Sequence, residues 1–293
     1  MSADIQTIQS ILDIETLEHN LFRGRSPSTS WQRVFGGQVI AQALVAAQRT
    51  VADDRFVHSL HGYFMLGGDP SIPIVYDVER LRDGGSFTTR RVTAIQHGKA
   101  IFSLEASFQI DEPGFEHQST MPDVPMPETL LGQAEMIERY GDVMREEITR
   151  YWRRQRPIMI KPVAVEHYTS REKLDPVQNN WVKFREQVPA ERHVRAALLA
   201  YMSDMTLLDT STFPHGRAVF DSDLQVASLD HALWFHRPFR ADEWLLYVQD
   251  SPNTSGARGL TRGSIYARDG RLVASVAQEG LIRLRPRETE TKA

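Results

Sequence analysis

The 293-residue chain contains no cysteine. This excludes disulfides, thiolate metal sites and a cysteine nucleophile, and it fits a reducing compartment. The chain also lacks any uninterrupted apolar run near the ~20 residues that span a bilayer. Its first residues, Met1-Ser2-Ala3-Asp4-Ile5-Gln6, carry neither the basic nor the apolar region of a secretory leader. A cytoplasmic protein without membrane insertion is the expectation, and Glu290-Thr291-Lys292-Ala293 is not a peroxisomal Ser-Lys-Leu tripeptide. There is no excess of positive charge either: 34 Lys and Arg against 38 Asp and Glu give a net charge of −4. Nothing here draws the chain to nucleic acid. Missing as well are the Gly-x-Ser-x-Gly elbow, the Gly-x-x-x-x-Gly-Lys loop, His-Glu-x-x-His and Gly-x-Gly-x-x-Gly. Serine hydrolases, nucleotide hydrolases, zinc proteases and dinucleotide oxidoreductases thereby lose their usual support.

What is present is an ordinary globular composition, 41% hydrophobic and 25% charged, in a chain longer than the usual single domain. Ile8, Ile11, Leu12, Ile14 and Leu17 recur at helical spacing and predict a short amphipathic helix. Leu21-Phe22-Arg23-Gly24 reads as a short strand, and Ser26-Pro27-Ser28 as a bend. Two glycines, Gly36 and Gly37, mark a turn into an alanine-rich helix over residues 38–47, whose small side chains suit burial against a sheet. Period-two runs then predict antiparallel strands over residues 74–81, 87–95 and 100–110, punctuated by Asp83-Gly84-Gly85 and His97-Gly98. Four prolines between residues 111 and 127 have the composition of an extended linker. A helix over residues 128–154 follows, stopped by Pro157.

The same order of events then recurs. Trp181-Val182-Lys183-Phe184-Arg185 stands where Phe22-Arg23 stood, and residues 194–205 form a second alanine-rich helix. Residues 228–235 take the place of residues 59–66, and strands follow over residues 244–249, 259–267 and 272–284. A strand, a small-residue helix and four strands therefore appear twice, and such self-similarity has to be settled before the fold. One unit of this kind, a helix wrapped by an antiparallel sheet, is a hot-dog. Two in one chain make an α+β double hot-dog. The division expected is an N-terminal repeat over 1–111, a linker and connecting helix over 112–160, and a C-terminal repeat over 161–293.

One stretch of the second repeat stands out. Val226-Ala227-Ser228-Leu229-Asp230-His231-Ala232-Leu233-Trp234-Phe235-His236-Arg237-Pro238 interleaves hydroxyl, carboxylate and imidazole groups with large apolar residues. Burying such groups unpartnered costs roughly 1–3 kcal/mol each, so Ser228 needs partners elsewhere in the chain. Asp204, placed by the periodicity inside the second helix between Met202 and Met205, is one candidate. The first repeat has no acid in its equivalent helix. Gln278, in an otherwise apolar strand beside Gly280, is the other; Ala106 stands near its place in the first repeat.

Several motifs together carry a family resemblance. They are Leu21-Phe22-Arg23-Gly24, Val34-Phe35-Gly36-Gly37-Gln38, Tyr76-Asp77-Val78-Glu79-Arg80-Leu81-Arg82-Asp83-Gly84 and Ala106-Ser107-Phe108-Gln109. To these are added Ser228-Leu229-Asp230-His231, Trp234-Phe235-His236-Arg237-Pro238 and Gln278-Glu279-Gly280-Leu281-Ile282-Arg283. In order and spacing, from about residue 8 to 286, the chain resembles acyl-CoA thioesterase II of the TesB type. The resemblance implies a double hot-dog enzyme that hydrolyses fatty acyl-CoA without a metal or redox cofactor. It also implies an aspartate, a threonine or serine, and a glutamine that hold the attacking water. By position these fall on Asp204, Ser228 and Gln278. Serine replaces the threonine frequent among bacterial members and loses a methyl group with its rotamer restriction. One active site per chain follows, in the second half. Hot-dog units pair their sheets, and residual sheet surface makes a homo-oligomer, dimer or tetramer, the expectation.

The chemistry suits these residue types. A thioester carbonyl is electrophilic and CoA thiolate leaves readily, so a positioned, partly deprotonated water suffices without a covalent intermediate. Backbone N–H groups at a helix start, with the Gly36-Gly37 turn as candidate, are expected to meet the oxyanion. His58, His61, His231 and His236 are spaced to opposite strand faces and form no chelate. They read as structural, with His58 a candidate for a supporting role. Arg150, Arg153, Arg154 and Arg156 read as solvated surface that could meet a ligand phosphate. Two other functions remain open: an enoyl-thioester hydratase or dehydratase, which wants a His/Asp or His/Glu pair, and a non-catalytic acyl-CoA-binding protein.

Overall fold

The computed structural model describes residues 7–26 and 33–285; most of the predicted Ser26-Pro27-Ser28 bend lies outside them. The amphipathic start divides into α1 (Ile8–Leu12) and β1 (Ile14–Glu18), which pairs with β2 (Leu21–Gly24). The predicted single helix gives way after Leu12 because the tail of that pattern serves as an edge strand, with only Ile14 buried. Then come α2 (Gly36–Gln48), β3 (Phe56–Phe64), β4 (Ile74–Asp83), β5 (Phe87–Gln96) and β6 (Lys99–Gln109). The expected helix over residues 128–154 is instead a 3-10 turn at Pro127–Thr129, α3 (Gln133–Tyr140) and α4 (Glu146–Arg153). The interruption lies around Gly141, which caps the C-terminus of α3.

The second half contains β7 (Ile158–Pro162), α5 (Glu166–Thr169), β8 (Val177–Phe184), α6 (Arg192–Ser203), β9 (Leu224–Ser228), β10 (Asp230–Phe235), β11 (Leu245–Ser255), β12 (Arg258–Ala267) and β13 (Leu272–Leu284). All strands belong to one antiparallel sheet in the order β1-β2-β4-β5-β6-β3-β10-β13-β12-β11-β8-β7, with β9 also on β13. Read outward from its centre, this order repeats: β3, β6, β5, β4, β2 and β1 match β10, β13, β12, β11, β8 and β7. The halves join where β3 pairs with β10, Leu60 opposite Leu233. The double hot-dog architecture expected of the duplicated sequence is therefore present, with an additional edge strand in each half.

The sheet curls around α2 and α6, which pack on each other. Both are buried for most of their length because alanines alternate with larger residues: Ala41, Ala43, Ala46 and Ala47 on α2, and Ala196, Ala197 and Ala200 on α6. Small side chains let helix and sheet approach closely, and each buried Leu, Ile or Val contributes about 1.5–3 kcal/mol of transfer free energy. The proline-rich segment between β6 and the 3-10 turn is extended, as predicted, but it is docked on the outside of the second half. Met121, Val124 and Met126 cover Trp181, Leu246 and Tyr266, and the Trp181 indole donates to the Pro125 carbonyl at 2.9 Å. No helix among the described residues is long and apolar enough to cross a membrane.

Candidate active site

The periodicity places Asp204 inside α6, but the helix ends at Ser203 and Asp204 is its C-cap. What stops the helix is Thr206, which adopts the left-handed conformation at φ 61°. For a β-branched residue this costs roughly 1–3 kcal/mol, so the local structure has to hold it. A set of buried side chains from β8 and β11 does so. Gln178 donates to the Thr206 carbonyl at 2.8 Å, and Gln249 donates to the Thr206 hydroxyl at 3.0 Å and to the Met205 carbonyl at 3.3 Å. Tyr247 donates to the Ser203 carbonyl at 2.7 Å. The last carbonyl of α6 and those of Met205 and Thr206 beyond it thus find side-chain donors in place of water, and the backbone on both sides of Asp204 is pinned.

The Asp204 carboxylate reaches across to the other half. Its Oδ2 accepts from the Gly37 N–H at 2.8 Å, so Asp204 supplies the cap that α2 lacks at Phe35. The Gly36-Gly37 turn was expected to meet an oxyanion; the Gly37 amide is instead engaged by this carboxylate. Glycine is needed here for close approach. A Cβ on Gly36 would come 2.8 Å from Asp204 Oδ2 and 3.0 Å from the Phe64 ring.

Gln278 and Ser228 are brought to the same point by the pairing of β9 with β13. Ser228 stands opposite Gly280, which puts Gln278 on the diagonal of the same face. The Gln278 amide donates from Nε2 to Asp204 Oδ1 at 2.7 Å and to Ser228 Oγ at 2.9 Å. Because a carboxylate only accepts, this fixes the amide orientation. It leaves Gln278 Oε1 buried with no protein partner. The three residues singled out in the sequence therefore form one hydrogen-bonded group. Burial raises the Asp204 carboxyl to about 6, against the opposing donors of Gln278, Gly37 and Ser228. No cation forms an ion pair with it among the described residues, so desolvation prevails and the carboxylate is unusually basic.

The histidines fall as structural groups. His231 is buried, with Nε2 2.8 Å from Ser203 Oγ, whose own proton goes to the Ala200 carbonyl. The ring nitrogen at Nε2 therefore donates, and burial holds His231 neutral, its pKa pushed down to about 3. His58 lies 2.8 Å from Ser107 Oγ, and His236 lies 2.9 Å from Ser275 Oγ. His61 meets Trp234 edge to face. Among the arginines, Arg156 departs from the solvated surface expected of it. It is buried with its guanidinium 4.0 Å from the Tyr151 ring centre. The residues missed in the sequence, Gln178, Asn180, Tyr247 and Gln249, did leave a signal. Amides at alternate positions of a buried strand face call for partners, and here the amide N–H groups find them around Thr206.

A duplicated hot-dog unit with a basic carboxylate, an amide and a hydroxyl at the seam of its halves is the class that this geometry defines. Two family models match in succession: "Acyl-CoA thioesterase N-terminal domain" at residues 25–109 and "Acyl-CoA thioesterase" at residues 152–281. Acyl-coenzyme A thioesterase 8 of Mus musculus is 43% identical over 100% of this chain and 94% of its own. The crystal structure of an acyl-CoA thioesterase II, TesB2, from Mycobacterium marinum is 45% identical, covers 95% of this chain and 98% of its own, and superposes with a TM-score of 0.78. A hot-dog protein of unknown function from Alicyclobacillus acidocaldarius, 17% identical, covers 96% and 99% with a TM-score of 0.78, which shows the fold. The chain belongs to the acyl-CoA thioesterase II family, of the TesB type, a family of thioester hydrolases.

Proposed function

We propose that this protein hydrolyses acyl-CoA thioesters with a water that Asp204 activates and Ser228 and Gln278 orient. The observation that carries the reading is the junction of Asp204 with Gln278 at 2.7 Å and of Gln278 with Ser228 at 2.9 Å, around a carboxyl whose pKa is raised to about 6. At neutral pH that group is ionised yet more basic than a solvated aspartate, which is what a general base needs. A water between Asp204 and the unpartnered Gln278 Oε1 gives one proton to the carboxylate and attacks the thioester carbonyl. The tetrahedral adduct then breaks its C–S bond, releasing the carboxylic acid and CoA thiolate, which takes up the proton. No covalent enzyme intermediate is required.

A hydratase or dehydratase is disfavoured by the histidines. The His231 ring is bonded to Ser203 rather than to a carboxylate and is held neutral, and His58 belongs to the other end of the helix pair, against Ser107. A cytoplasmic homo-oligomer is part of the same proposal, since Tyr63, Met65 and Leu66 are each more than half exposed beside the junction of the halves. The decisive experiment is thiol release from acyl-CoAs of graded chain length by wild type and Asp204→Asn. Turnover that falls at least a hundredfold in the variant, with substrate still bound, supports water activation. Binding without thiol release in either protein would leave an acyl-CoA-binding protein.

A further inference from the structure

Because α2 and α6 lie antiparallel in a duplicated frame, the site just described has a counterpart at the opposite end of the helix pair. There the first turn of α6 meets the end of α2, where Gln48 donates to the His193 carbonyl at 3.1 Å. On β3 and β6, the strands that match β10 and β13, His58 and Ser107 are bonded to each other at 2.8 Å, and Ala106 stands near the place of Gln278. Arg49, the C-cap of α2, stands where Asp204 caps α6. No carboxylate occupies the catalytic position, so the counterpart has no general base.

The space has nevertheless been kept. A cavity of ≈ 240 Å³ opens at this end, with Phe56, Val57 and Phe239 among its apolar walls and Arg192, Arg195 and Arg237 among its polar ones. Arg192 is paired with Asp111 at 2.6 Å. The other two guanidiniums are held by backbone carbonyls. Arg195 donates to Pro189 O at 3.0 Å and Phe239 O at 3.3 Å, and Arg237 donates to Leu272 O at 3.2 Å. Arg237 also forms a long ion pair, 3.7 Å, with the 80% exposed Glu116. Of the acidic residues on the wall, Asp111 is spent on Arg192 and Glu112 accepts from Gln109 at 2.9 Å. Arg195 thus has no ion pair among the described residues and Arg237 only a long one to an exposed side chain, which leaves both cations beside an apolar floor available to an outside anion; guanidinium forks match phosphate oxygens in geometry and charge.

We propose that this cavity binds a phosphate-bearing ligand with an apolar or planar portion, a nucleotide such as the phosphorylated adenosine end of coenzyme A, and performs no chemistry on it. Only the choice of coenzyme A as first probe rests on the thioesterase reading. The test is calorimetric titration of the full-length Asp204→Asn protein with free CoA, ADP and inorganic phosphate. The titration is repeated in the same background with Arg195→Gln and Arg237→Gln added.

The expected result is two CoA per chain, with one of the two sites weakened at least about tenfold by the arginine changes and by added salt. Binding of ADP or phosphate that is lost with the same changes also supports the site and identifies the phosphate as the recognised group. A single CoA per chain, with ADP and phosphate unbound and affinity indifferent to the arginines, overturns it. Should the double change impair folding, Arg237→Gln alone gives the same readout. Wild-type thiol release separates the two claims: an active enzyme with one CoA site refutes this proposal alone, and two CoA sites without thiol release refute the proposed function alone.

Discussion

The two central helices occupy equivalent places in the two halves, yet they end in opposite ways. α2 closes on Arg49, whose guanidinium lies at the negative end of the helix dipole and donates to the Ile14 carbonyl at 2.6 Å. α6 closes on Asp204, an anion at the end where an anion is unfavourable. Three donors offset the misplacement: the Gln278 amide, the N–H of Gly37 at the positive end of α2, and the Ser228 hydroxyl. Burial still prevails, and the carboxyl stays near 6. The comparison teaches that duplication let one half keep the locally stable solution while the other carries a group that its own helix would reject. A broken local rule in an otherwise consistent fold marks the place where function outweighs stability.

The sharpest way to break the comparison is to remove the misplaced anion. Asp204→Asn is expected to lower kcat by about 10²–10⁴ in a thiol-release assay, since a neutral amide cannot take the proton of water. Gln278→Leu is expected to cost about 10–10², by freeing the carboxylate and the Ser228 hydroxyl from their common donor. Equal activity in all three proteins would place the chemistry elsewhere.

The pH dependence follows from the same group. With Asp204 near 6, kcat/KM of the wild type should fall about tenfold per unit below that value and level off above it. Stability should carry the opposite signature. An aspartate raised from its ordinary 3.8 to about 6 holds a proton in the folded state that the unfolded chain has released. Its contribution is therefore complete below about pH 4 and is lost as pH rises to about 6, by roughly 3 kcal/mol as an upper estimate. Urea unfolding between these pH values should show that slope in wild type and a weaker one in Asp204→Asn. Asp209, raised by burial to about 7, supplies the part that remains in both.

How much of this is legible in the sequence differs by level. The duplicated order of helix and strands is readable because Gly36-Gly37, the alanine runs and the period-two strands are local patterns. The fate of residues 128–154 is not, because a helical pattern does not reveal that its middle has to turn at Gly141. For the site, the family resemblance selects Asp204, Ser228 and Gln278, and their polar types in an apolar setting agree with it. The end of α6 at Ser203 is hidden, since Thr206 takes a conformation that its own side chain disfavours and that distant amides on β8 and β11 impose. The Gly37 contact is hidden for the same reason: it joins residues 167 positions apart.

Those imposed contacts give a smaller expected effect. Tyr247→Phe removes the donor to the Ser203 carbonyl and leaves that acceptor buried, costing about 1–2 kcal/mol in urea unfolding. If the bond also aims Asp204, kcat should fall about three- to tenfold with KM little changed and with the pH midpoint shifted. A stability loss with kcat and midpoint unmoved would make Tyr247 purely structural.

The smallest effect tests the other half. Arg49→Met removes a cation from the end of α2 together with its bond to Ile14, and should cost about 0.5–1 kcal/mol with thiol release unchanged. Arg49→Asp goes further, since it places at α2 the anion that α6 carries, and should cost about 1–2 kcal/mol. In an Asp204→Asn background it should restore no thiol release. At that end His58 and Ser107 hold each other, and Arg192 and His193 stand where Gly36 and Gly37 admit the carboxylate. Recovered turnover would mean that a carboxylate at a helix end is sufficient in this frame. Its absence would mean that the glycine turn, the amide and the hydroxyl have to accompany it.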